Sequence, residues 1–289
     1  MSLAVVFKSP EGLVLAADSR VTVTATLPVA PLLPPAVPGI IVQPTIQVLP
    51  AYFDNATKLL SVANQSHVGF VTYGAGAIGQ TEPRTAHSFL PEFESFLSKR
   101  HDARIDVNTF AKELGLFFSD QWKDAKMPTS PLPPGIQPMV FLVAGYDKDD
   151  AYGKIFEVVI PDRPEPVERQ AGTFGIVWGG QSDFLERLLN GFDPSAIALA
   201  ASTLGLDSTQ ADLLRQKFQE SLGLSIPYQF LPLQDCLEMA TFLVSLTSQI
   251  QTWMIAIRGV GGHVDVATVT RTDGFSAVSQ KRIHSRDDY

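Results

Sequence analysis

The chain has 289 residues, 45% of them hydrophobic, with a formal net charge of −8 and one cysteine, Cys236. That length buries a full core as one large domain or two small ones, and one is the expectation here. The acidic balance excludes the electrostatic footprint of a general nucleic-acid binder, and a single cysteine excludes an intramolecular disulfide or a cysteine-cluster metal site.

Two short apolar runs open the chain, LAVVFK at 3–8 and LVLAA at 13–17, split by SPEG, whose proline and glycine suit a hairpin turn. Lys8 and Glu11 interrupt this stretch before it could act as a secretion signal, so a reducing, cytoplasmic location is expected. A second pair of runs, 58–63 and 68–73, flanks the polar NQSH. Both pairs are nearly apolar throughout, the pattern of strands covered on two faces.

Between the hairpins, residues 21–53 carry no charge and seven prolines. Proline at that density excludes a membrane-spanning helix and interrupts sheet ladders, so 23–53 is expected to be an extended arm or long loop. Its apolarity points to packing on a neighbouring subunit; the alternative is a loop folded back on its own domain.

Phe89, Phe93, Phe96 and Leu97 share one face of a helix, and Phe110, Leu114, Phe117 and Phe118 repeat the spacing in the next. Such stripes are core. The proline-rich 128–138 ends this helical part, and strands return at 139–145, 153–160 and near 173–178. GGQSDFLERLLNG reads as a glycine turn into a helix with Asp183 and Glu186 in its first turn, where the macrodipole favours acids. An added helical segment covers 195–230, a long helix covers about 233–251, and the strands HVDVATVTR and FSAVSQ close the chain. Strands and helices in blocks indicate an α+β fold: two antiparallel sheets between helix layers, a four-layer αββα sandwich, as a single domain over 1–289. His67, His87, His101 and His284 lack metal-ligand spacing, and His263, alternating with Asp265, fits a structural role.

The order of elements, together with GLVLAADSRVT, Lys58 at a strand start, YGAGAIG, VAGYDKDDAYGKIFEVVIPD, GGQSDF and GVGGHVDVATVTRTDG, resembles the proteasome β-subunit family of N-terminal nucleophile (Ntn) hydrolases over roughly 2–276. In that family the nucleophile is the first residue of the mature chain, and the aspartate of the AAD motif follows sixteen positions later, the separation of Ser2 and Asp18. The resemblance implies that loss of Met1 leaves Ser2 as nucleophile, with its own α-amine as base. Lys58 would lower the amine's pKa by like-charge repulsion. Asp18 would hold Lys58 charged, and Arg20 would support the cluster. A purely structural Asp18–Arg20 ion pair and a solvated Lys58 are the bland alternatives. Gly74 matches the oxyanion donor, with Gly76 as the neighbouring option, and Thr22 matches a position whose backbone holds peptide as an added strand.

Three departures stand out. Serine replaces the family's threonine; Gly180 occupies the place of a supporting serine, for which Ser182 is the nearby substitute; and a supporting aspartate is missing where Ile257 or Arg258 stands. The implied activity is peptide-bond hydrolysis on peptide or unfolded protein in a homo-oligomeric ring, with no cofactor, nucleic acid or membrane, and with an ATPase as a further partner that the resemblance raises. A catalytically silent ring subunit and a small-molecule amidase on the same fold are the alternatives.

Overall fold

The SPEG turn closes a hairpin: β1 (Leu3–Lys8) and β2 (Leu13–Ala17) pair antiparallel, and the Ser9 N–H and hydroxyl both donate to the Gly12 carbonyl. The computed structural model describes residues 2–29, 45–79 and 81–281. Met1, His284 and the middle of the proline-rich arm, 30–44, lie outside the described residues.

The flanks of that arm are strands. β3 (Val21–Val29) and β4 (Thr45–Phe53) form a two-stranded antiparallel ribbon whose ladder runs through Pro28 and Pro50. This corrects the expectation of an arm without sheet: in a two-stranded ribbon each strand has a free edge, so a missing proline N–H need not break the ladder. Among the described strands, β3 and β4 pair only with each other.

β5 (Leu59–Ser61) and β6 (Val68–Gly74) form the second hairpin, with β5 shorter at both ends than the expected run 58–63. The helices α1 (Leu90–Arg100) and α2 (Val107–Asp124) follow, then β7 (Met139–Gly145), β8 (Lys154–Ile160) and β9 (Arg163–Arg169). β9, RPEPVER, escaped the sequence reading because of its two prolines and mixed charge. It is the edge strand in the sheet order β5-β6-β7-β8-β9, where proline is tolerated.

β10 (Gly175–Gly180), α3 (Asp183–Asn190), α4 (Pro194–Leu204), α5 (Ser208–Leu222), α6 (Leu233–Thr252), β11 (Asp265–Thr270) and β12 (Gly274–Ser279) complete the chain. The second sheet has the order β10-β1-β2-β11-β12.

Strand alternation builds the layers. Along β1, Leu3, Val5 and Phe7 face a cluster that includes Leu185 and Leu189 of α3 and Ala240, Leu243 and Val244 of α6. Ala4 and Val6 face the opposite way, meeting Val71 and Leu142 of the other sheet. The phenylalanine stripes of α1 and α2 close a third cluster on Phe70, Phe141 and Val158. Each buried phenylalanine contributes roughly 1.5–3 kcal/mol. The result is a multilayer architecture of paired antiparallel sheets flanked by helices. The added segment sits outside it: α4 buries only Ile197, and α5 buries no residue.

Candidate active site

Asp18 follows β2 directly and is 1% exposed. Its carboxylate is fully engaged. Oδ1 accepts the Leu3 N–H at 3.0 Å and the Lys58 ammonium at 2.8 Å, while Oδ2 accepts the N–H groups of Arg20 at 3.0 Å and Gly261 at 3.1 Å. One oxygen thus ties Lys58 to the residue that follows Ser2. Lys58 Nζ also donates to the Arg20 carbonyl at 2.5 Å. That leaves one of its three protons for other partners. Burial pulls the Lys58 pKa below the usual lysine range, against the opposing pull of Asp18.

Ser2 is 4% exposed, and its carbonyl accepts the Gln181 N–H at 2.7 Å. Ser2 and Lys58 line one cavity of about 20 Å³ with Val21, Thr72, Tyr73, Ala75 and Gly76 among its other walls. That volume admits a single water and no peptide. The Thr72 hydroxyl in this wall is buried and has no hydrogen-bond partner among the described residues. Burial also raises the Tyr73 phenol well above its ordinary range.

The other expected residues are placed less directly. The Arg20 guanidinium turns away from Asp18 and forks onto Asp54, at 2.5 and 2.8 Å, with Tyr52 under its face. Only its backbone serves the cluster, and the Asp18–Arg20 side-chain pair of the bland alternative does not form. A Cβ at Gly261 would lie 2.4 Å from the Arg20 guanidinium carbon, so the glycine makes room for this turn. The Asp54 carboxyl is held below its usual value by the bond from Arg20.

Gly74, with φ +85°, packs against the Pro138 carbonyl and is not itself part of the cavity wall, although Tyr73 and Ala75 on either side of it are, whereas Gly76 lies in the wall. The Ala75 N–H is taken by Pro138, while the Gly76 N–H has no acceptor among the described residues. Thr22 pairs with Tyr52 and donates its hydroxyl to the Arg258 carbonyl. Ser182 donates to Glu186 at 2.5 Å and not to the Ser2 surroundings.

Gly180 cannot be read as a vacant serine position. Its φ is +98°, and a Cβ there would lie 1.9 Å from the Ser2 carbonyl oxygen. Near the place of the missing aspartate, an amide and not a carboxylate is found among the described residues. Gln251 of α6 donates to the Gln181 side chain at 2.9 Å and accepts the Val260 N–H at 3.0 Å, a neutral brace behind the strand that holds Ser2. Thr72, Asp54 and Gln251 carry no sequence signal, since each acts through partners distant in the chain. Among the described residues no three His, Cys, Asp or Glu side chains cluster as metal ligands, and no helix is long and apolar enough to cross a membrane.

The paired antiparallel sheets with flanking helices are consistent with an Ntn-hydrolase-like fold. The chain superposes on a solved structure described as an Anbu (Gly-1) mutant from Hyphomicrobium sp. strain MC1, with a TM-score of 0.50 and 15% identity, covering 100% of this chain and 90% of that one. Anbu is a bacterial protein related to the proteasome β-subunit and Ntn-hydrolase superfamily, and at this identity the likeness shows the fold alone. No protein-family model and no curated protein match the chain.

Proposed function

We propose that residues 1–289 form one αββα domain of a cytoplasmic, proteasome-like Ntn hydrolase that cuts peptide bonds with Ser2 once Met1 is removed. The observation that carries this reading is the Asp18 carboxylate, which bonds Leu3 and Lys58 through the same oxygen and so sets a buried ammonium beside the chain's start. A free α-amine titrates at about 7.7–8.0 in peptides, and a neighbouring ammonium lowers that value toward neutrality. Such an amine takes the Ser2 hydroxyl proton, through the one water that the cavity admits, as Oγ attacks the substrate carbonyl.

The tetrahedral oxyanion accepts the N–H of Gly76, the donor that the cavity favours over Gly74. As the intermediate collapses, the amide C–N bond breaks and the proton passes to the leaving amine. Water then hydrolyses the serine ester and restores the hydroxyl. The peptide lies outside the small cavity, along the Val21–Thr22 backbone. We place the subunit in a homo-oligomeric ring, with unfolded protein or peptide as substrate and an ATPase as a candidate feeder.

A catalytically silent ring subunit is the second reading, favoured by the neutral Gln251 brace and by Ser182 being spent on Glu186. Intact mass of the purified protein, before and after a β-lactone inhibitor, separates the two. The hydrolase gives a chain short by one methionine and a covalent adduct at Ser2. A retained Met1 excludes the mechanism, and a trimmed chain with no adduct and no peptide hydrolysis supports the silent subunit.

A further inference from the structure

Asp265 opens β11 and pairs with Ala17, the residue before Asp18, so the sheet register sets a second carboxylate beside the AAD segment. It is wholly buried. A carboxylate in that state needs a cation and further donors to offset its lost hydration. Both come from the segment after β12, where the Lys281 ammonium donates to Oδ2 and the Lys281 N–H donates to Oδ1 at 3.0 Å. Among the described residues no other lysine or arginine reaches Asp265; the exposed His263 has its Nδ1 3.5 Å from Oδ1. The same ammonium donates to the Ser19 hydroxyl at 3.2 Å. Ser19 is held on its other sides as well: its hydroxyl proton goes to the His263 carbonyl at 2.6 Å, its N–H to the Gly261 carbonyl at 3.0 Å, and its carbonyl accepts the Ala56 N–H at 2.8 Å. Ser19 therefore joins the residue after Asp18 to the stretch that leads into Lys58. Lys281 sets a second, largely shielded cation against that joint.

We propose that Lys281 is a positioning residue of the Ser2 site: clamped by Asp265 and Ser19, its ammonium holds the Asp18–Lys58 joint together and repels the charge on Lys58. Lys58 is faced by Asp18 and Arg20 after β2, by Asp54 after β4 and by Lys281 after β12. Tyr73 of β6 shares its cavity with the phenol kept neutral by burial, and the Ser2 amine joins them once Met1 is removed. Burial is the main force lowering the Lys58 pKa, Asp18 opposes it, and the Lys281 charge adds to the lowering. Lys281 thus sets how far into alkaline pH residue 58 remains an ammonium. Its effect on turnover rests on the reading of Ser2 as nucleophile, because a neutral Lys58 no longer depresses the amine; its effect on Lys58 itself does not.

Titrating the full-length protein, labelled with ¹³C at the lysine Cε atoms, reads the Lys58 midpoint directly, with the resonance assigned by Lys58→Arg. Lys281→Gln keeps amide donors for Asp265 and Ser19 but removes the charge, and Lys281→Met removes both. In each the Lys58 midpoint rises by about one pH unit, the scale of one neighbouring charge, and Lys281→Arg restores the parent value. The alkaline limb of kcat/KM for peptide hydrolysis moves upward with it. A Lys58 midpoint that stays in place in folded Lys281→Gln and Lys281→Met, with only a lower melting temperature, would make Lys281 a structural anchor and overturn the proposal. Should the parent hydrolyse no peptide, the Ser2 reading fails, and the Lys58 titration still decides the role of Lys281.

Discussion

Four donors converge on the Asp18 carboxylate, and one of them, Lys58, is 5% exposed. Removing either member of a buried pair strands the other, so Asp18→Asn and Lys58→Met each cost about 3–5 kcal/mol, while the double variant costs less than their sum; denaturant unfolding measures all three. The pH dependence has a definite sign. Burial lowers the Lys58 pKa in the folded chain, so the unfolded chain holds that proton more tightly. Stability relative to Lys58→Met therefore rises as pH climbs from the lowered value toward 10.5 and falls as pH drops through it. Thr72 makes a different prediction. Thr72→Val removes a buried hydroxyl with no partner, so stability holds or rises by about 1 kcal/mol. If that hydroxyl holds the water between amine and nucleophile, peptide hydrolysis falls by about tenfold or more; unchanged turnover in the folded variant would make it idle. The family resemblance named Ser2 and Asp18 through their sixteen-residue separation and Lys58 as a lysine at a strand start. Thr72 was not, because in sequence it is one β-branched residue inside an apolar strand, and only the fold turns it toward Lys58.

Strands apolar on both faces were readable from their residues, and proline-bearing strands with a free edge were not. LAVVFK and MVFLVAG announce themselves because each lies between two other strands. β9 and the β3–β4 ribbon do not, since proline there is permitted by a free edge that no local pattern reveals. The ribbon pairs with no other described strand, so replacing residues 24–50 by a short turn should leave the melting temperature within a few degrees of the parent while lowering the oligomeric state in light scattering. A large loss of thermal stability would show that the arm belongs to its own core. Gly180 makes the converse case, a single residue on which an element depends. A methyl there meets the Ser2 carbonyl and strains a positive φ, so Gly180→Ala is expected to cost about 3 kcal/mol or more and to displace Ser2. Calorimetry measures the first effect, and loss of the β-lactone adduct the second.

Across the whole molecule, exposed apolar side chains are spread over several elements, among them α4, α5 and α6, and one group of them is tied to the base of the ribbon. Trp253 is 78% exposed and Ile255 wholly so, in the loop after α6, and Val23, Tyr52 and Phe53 are exposed at the base of the ribbon. The two groups are stitched together: Thr22 donates to the Arg258 carbonyl, and the Arg258 N–H donates to the Tyr52 hydroxyl. An apolar patch of this kind on an otherwise acidic protein is expensive to leave in water, and covering it by a second copy relieves that cost. Charge is the sharpest probe, because a carboxylate buried in such an interface has no partner. Trp253→Glu combined with Ile255→Glu, both at exposed positions, should leave the fold and the Asp18–Lys58 pair intact, since neither residue contributes to the three core clusters. In sedimentation velocity the parent should run as an assembly and the double variant as a smaller species. If copies meet beside the mouth of the site, hydrolysis per subunit should fall with the assembly. Retained activity in a dissociated variant would place the whole reaction within one chain and favour the amidase alternative over a ring.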